Sequence, residues 1–152
     1  GQHTVSVTFG ENSPTGRRAF LPSVVHVPLT CWYGPDEGEP NNDANQATGP
    51  LCPGLNTDGR PNDRHDVFYF DAAAGSVQVD LANHVGVGVQ LQLHYQEITR
   101  NPIDIDPTPA GGYHVGLANA AAGRYYVVIS TTIPDPGATT LYVLTPTYLP
   151  LD

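Results

Sequence analysis

The chain has 152 residues, enough for one domain with a single core that buries roughly two thirds of its unfolded surface. Six basic residues stand against 15 acidic ones for a formal net charge of -9, which leaves no basic stripe for a phosphate backbone or an anionic bilayer. No apolar run approaches the roughly 18 residues of a spanning helix and no charged-then-apolar leader opens the chain, so the sequence reads as a mature fragment of something longer, with neither nucleic acid nor membrane insertion expected.

Residues 1–32 read as an N-terminal tether or extra strands: Val5, Val7 and Phe9 alternate with polar residues, and Phe20 to Val25 has the composition of a connection. The folded unit is then expected over 33–152. Cys31 and Cys52 flank an acidic stretch, and neither belongs to a CxxC pair of the zinc or redox type. A disulfide is the natural reading, with two reduced buried thiols as the alternative. The absence of lysine and methionine and the abundant Gly, Pro, Asn and Thr suit a secreted, extracellular protein.

Between the cysteines runs Glu37-Gly-Glu39-Pro40-Asn41-Asn42-Asp43, and Asp58-Gly59-Arg60-Pro61-Asn62-Asp63-Arg64-His65-Asp66 follows. Calcium takes six to eight oxygen ligands. Alternating Glu37, Glu39 and Asn41 on an extended segment face one side, Pro40 keeps that segment extended, and Asp58-Gly59 is a turn signal. Glu37, Glu39, Asn41, Asn42, Asp43, Asp58, Asp63 and Asp66 are therefore the candidate ligands of one irregular calcium site. It is no EF-hand, because no Glu stands at the twelfth position and no Gly at the sixth. The alternative is a pair of solvated polar turns.

Strands dominate the remainder, since Gly or Pro interrupts nearly every helical window. Val77, Val79 and Leu81 alternate against Gln78 and Asp80. In Val87 to Tyr95 the odd positions face a core while Gln90, Gln92 and His94 face away. Arg100 to Pro109, with Ile103-Asp-Ile-Asp106, reads as a long hairpin connection with a solvated acidic turn. Tyr125, Val127 and Ile129 form the core set of a further strand, and Leu141 to Leu144 follows a Pro-Asp-Pro-Gly turn. The expectation is an all-β fold, an antiparallel, jelly-roll-like β-sandwich of about six to nine strands.

Catalytic signatures are missing from the sequence. The six histidines lack the i, i+4 spacing of a helical zinc motif, and no serine occupies a Gly-x-Ser-x-Gly elbow. His65, between Asp63 and Asp66, would join the cluster only if it took a softer metal. Tyr126 and Tyr142 lie opposite their strands' expected core sets and are candidates for an exposed ligand platform suited to sugar rings or extended peptide. Ordinary sheet-surface tyrosines are the alternative.

Glu39-Pro40-Asn41, then Asp66-Val-Phe68-Tyr-Phe70, Ala74-Gly75 and Ala122-Gly123-Arg-Tyr125-Tyr-Val127 occur in an order that resembles the bacterial pre-peptidase C-terminal domain, over about residues 37 to 147. The departures are Asn42, where an aspartate is expected, and Gln90 and Gln92, where many members carry Asp. The resemblance implies a β-sandwich accessory domain, not an enzyme, attached to the catalytic domain of a parent hydrolase, most often a protease. It also implies calcium held between the acidic linker and Asp63 with Asp66, and a role in attachment to a protein or polysaccharide substrate, or in spacing. A carbohydrate-binding module and an adhesive or surface-layer module are the alternative readings.

Overall fold

The computed structural model describes residues 31–35, 40–60, 64–82, 89–107, 112–131 and 142–151. Of the tether expected over residues 1–32, residues 1–30 lie outside them, as do Glu37, Glu39 and Asp63. The described elements are all strands: β1 (Gly34–Pro35), β2 (Thr57–Gly59), β3 (His65–Ala82), β4 (Val89–Tyr95), β5 (Asp104–Asp106), β6 (Tyr113–Ala120), β7 (Gly123–Thr131) and β8 (Tyr142–Pro150).

The organising element is β3, whose 18 residues serve both layers. Its first part pairs with β7, from His65 opposite Ser130 to Ala72 opposite Gly123; β7 pairs with β4, and β4 with β5. Its second part lies between β6 and β8, with Val79 opposite both Val115 and Pro146. Beyond β8 come β2, antiparallel, and the two-residue β1, which pairs with β2 in parallel and makes the sheet mixed instead of wholly antiparallel.

The inward side chains of β3 change parity along its length. Phe68, Phe70 and Ala72 point into the core from even positions, whereas Val77, Val79 and Leu81 do so from odd ones. Since side chains alternate strictly along a strand, this switch requires an irregularity. The register with β8 shifts between Ala72 and Val77, and Gly75 sits there at φ +152°, where a side chain would be strained. That irregularity lets one strand leave the first layer and enter the second.

The core between the layers is filled as period-two patterning dictates: Leu91 and Leu93 from β4, Tyr113 and Val115 from β6, Tyr125, Val127 and Ile129 from β7, Tyr142 and Leu144 from β8. Phe70 stacks between Tyr125 and Tyr148, with ring centroids at 5.6 and 4.5 Å. The expected sandwich is the observed fold.

Candidate functional site

The segment between the cysteines is fastened by its own backbone. The Cys31–Cys52 disulfide is present, with Cα atoms 4.9 Å apart, and beside it the Trp32 N–H donates to the Pro50 carbonyl and the Cys52 N–H to the Trp32 carbonyl. Residues 41 to 51 then run along the edge of β3 that β7 leaves open. Val67 N–H donates to the Asn41 carbonyl at 2.9 Å, Thr48 to Val67, Tyr69 to Thr48, and Leu51 to Tyr69. This segment takes the position beside the first half of β3 that β8 takes beside the second.

That arrangement brings two of the candidate ligands to one place. Asn41 is 0% and Asp66 2% exposed, and the Val67 to Asn41 hydrogen bond joins the linker to the residue next to Asp66. Asp66 occupies an even, core-facing position of β3, where its Oδ2 accepts the Tyr142 hydroxyl at 2.5 Å. Room for the Tyr142 ring comes from Gly59 on β2, where a Cβ would overlap the ring tip. Burying a carboxylate costs much unless it is hydrogen-bonded or paired with a cation, and the Tyr142 hydroxyl supplies one such bond.

The other described candidates are placed differently. Asp43 is exposed and caps a tight turn, its Oδ1 accepting the N–H groups of Asn45 and Gln46 at 2.8 and 3.2 Å. Asn42 is exposed on the same turn. Asp58 pairs in β2 opposite Pro35 and Val143, half-buried. No group of three metal-ligating His, Cys, Asp or Glu side chains forms among the described residues. The described candidates Asn41, Asn42, Asp43, Asp58 and Asp66 all offer oxygen donors, the kind a hard divalent cation takes, and His65 is exposed.

The tyrosine platform is corrected by burial. Tyr142 is 0% exposed and belongs to the core, because the inward set of β8 is Tyr142, Leu144 and Pro146 and not the odd positions between them. Tyr126 does lie on the outer face of β7, but it is 9% exposed: it clusters with Val67 and Val128 beneath Ala44, Ala47, Tyr69 and Ile98. The linker turn and the β4–β5 loop cover the face expected to be open.

Beside Tyr126 lies a half-buried polar ladder that no sequence pattern signals, with His94 buried at its end. His94 Nε2 lies 3.2 Å from Gln92 Oε1, and Gln92 donates to Gln90 Oε1 at 3.2 Å. Burial holds the His94 imidazole below its usual pKa, partly countered by a backbone hydrogen bond at Arg100. At the opposite rim, Arg124 forks onto Asp71 at 2.8 and 2.9 Å and lies 4.1 Å over the Tyr69 ring.

No known family pattern and no curated protein matches the chain. Among solved structures, the pre-peptidase C-terminal domain of the collagenase from Bacillus anthracis superposes with a TM-score of 0.50 at 23% identity, covering 62% of this chain and 89% of that one. The periplasmic inhibitor of g-type lysozyme from Aeromonas hydrophila, PliG, aligns at 0.41 and 14% identity over 61% of this chain and 82% of its own. The chain thus shares the fold of a pre-peptidase C-terminal domain.

Proposed function

We propose that this chain is a non-catalytic accessory domain of an exported hydrolase, a protease by the nature of the collagenase whose domain shares its fold, and that calcium fixes its acidic linker to the sandwich. The observation that supports this reading is the hydrogen bond from the Val67 N–H to the Asn41 carbonyl, which sets buried Asn41 beside the residue that follows buried Asp66, one residue from each half of the acidic sequence. Glu37, Glu39 and Asp63 supply the rest of the set by sequence. Calcium would neutralise these like charges, which otherwise repel one another.

The backbone ladder from Asn41 to Leu51 limits what the ion has to do. Those residues are held on β3 by main-chain hydrogen bonds, so calcium acts on the stretch before Asn41 and stiffens the approach to the sandwich. The disulfide and the fold likeness support an extracellular setting, and the parent hydrolase's catalytic domain is the nearest partner.

The test is a thermal melt after chelation, with calcium, magnesium or zinc returned separately. At a hundred times its dissociation constant a ligand adds about 2.7 kcal/mol, read as a rise of several degrees with calcium that Asp66→Asn and Glu39→Gln each reduce. Identical melts with every metal overturn the calcium reading, and turnover of any substrate by the isolated chain overturns the accessory role.

A further inference from the structure

One row of side chains crosses every strand of the second layer on its outer face. Asp80 on β3 is opposite His114 on β6 and Thr145 on β8. Thr57 on β2 is opposite Leu144, which sets Asn56 beside Thr145, and the Thr145 hydroxyl donates to Asn56 Oδ1 at 2.9 Å. Gly34 of β1 is opposite Thr57, which sets Tyr33, 48% exposed, beside Asn56. The neighbours Thr57, Leu144, Val79 and Leu81 are buried, so alternation turns the row away from the core. From β1 through β2, β8 and β3 to β6 it spans roughly 19 Å, at about 4.8 Å per strand step.

The row is ordered by its own hydrogen bonds. A carboxylate only accepts, so Asp80 takes the His114 Nδ1–H on Oδ1 and the Gln78 Nε2–H on Oδ2, each at 2.8 Å. That leaves Nε2 of the neutral His114 ring and Gln78 Oε1 as acceptors directed away from Asp80. Asn56, whose Oδ1 accepts Thr145, keeps its amide group as a donor. The β6 backbone behind the row is fastened as well: the His114 N–H donates to Asp106 Oδ2 at 2.9 Å and the Gly116 N–H to Asp104 Oδ2 at 2.8 Å. These carboxylates occupy an edge that a further strand would otherwise pair, so the row ends at β6.

We propose that this row binds a neutral, linear polysaccharide lying across the strands, with Tyr33 stacked on one sugar ring and Asn56, Gln78 and His114 hydrogen-bonded to the hydroxyls of the rings that follow. Sugar hydroxyls both donate and accept, which matches a row that offers a donor toward one end and acceptors toward the other. Charge decides against other polymers. The described strand residues of this face include Asp58 and Asp80 but no lysine or arginine, which disfavours an anionic chain. Both Asp80 oxygens are engaged by Gln78 and His114, so the row presents neutral groups and not a cation site. The site makes no use of the acidic linker and holds with or without calcium.

The experiment is an NMR titration of the whole chain with neutral cellohexaose, chitohexaose and mannohexaose, and with polygalacturonate and oligolysine as charged probes. A neutral probe should shift the amide signals of Asn56, Asp80, His114 and Thr145, and Tyr33→Ala should weaken its binding on the order of tenfold. Ile105→Ser, in the other layer, should bind as the natural chain does. Asp80→Ala should weaken binding and also change the imidazole nitrogen shifts of His114, which a general loss of packing would not single out. Silence with all the neutral probes overturns the proposal. So do shifts confined to the first layer, or tighter binding of either charged probe at this row.

Discussion

Tyr142 on β8 and Asp66 on β3 are 76 positions apart, and the phenol of the first donates to the carboxylate of the second in the wall of the sandwich. This bond ties the last described strand to the start of β3, beside the point where the linker meets the sheet. Tyr142→Phe removes the donor and keeps the ring. Its expected cost is about 1–3 kcal/mol, the range for a buried acceptor deprived of a donor, checked by urea denaturation.

Gly59 is the second half of the same fit. Gly59→Ala places a methyl group where the Tyr142 ring tip lies, so either ring or strand must shift. The expected loss is about 1–3 kcal/mol, as for overpacking elsewhere. A variant as stable as the natural sequence would show that the ring has room to move.

His94 is buried and its pKa is lowered, chiefly by desolvation. A base with a depressed folded pKa contributes stability that is present above the unfolded value, about 6.5, and is lost as pH falls through the folded value. Chemical denaturation between neutral and acidic pH should show this decline, and His94→Gln should remove its share of the slope.

Tyr148 gives the opposite boundary. Burial first and Asp71 second push its phenol up to about 12, and its hydroxyl donates to the Leu51 carbonyl. A raised folded pKa means stability that is intact below the unfolded value, about 10, and lost as pH rises through the folded one. Melting temperature should therefore drop from about pH 10 upward, by less in Tyr148→Phe.

The disulfide closes a span of 21 positions. Replacing Cys31 and Cys52 by serine should lower stability by about 3 kcal/mol in the chain-entropy account. Because residues 41 to 51 keep their main-chain bonds to β3, the unfolding should remain one cooperative transition, which calorimetry checks.

The parts of the fold legible in the sequence are those where polar and apolar residues alternate cleanly. Leu91 and Leu93 against Gln90 and Gln92, and Val77, Val79 and Leu81 against Gln78 and Asp80, gave their faces correctly. Tyr142 was misread because Leu141-Tyr-Val-Leu144 is apolar throughout and carries no period-two contrast. Tyr126 was assigned to the right face, but its cover comes from Ala44, Ala47 and Ile98, whose approach no local pattern encodes.

The acidic residues divide along the same line. Asp66 is core-facing by the parity of β3, which was readable only once the irregularity near Gly75 was known. Asp104 and Asp106 resembled a solvated turn because the groups that orient them, the amides of Gly116 and His114, belong to another strand. The sequence recorded the donors and acceptors without recording that they meet.

The sharing of β3 between layers bears on the order in which the molecule is made. Its partners β6, β7 and β8 all follow it, so a growing chain that has completed β3 has not yet synthesised any of the three strands that pair with it. The layer built on the second half of β3 cannot close until β8 is present, since that half has β8 along one whole side. Such non-local pairing delays the folding of that layer until β8 has been made. A chain built this way stays threadable until its last described strand has been made, and commits to its structure only then.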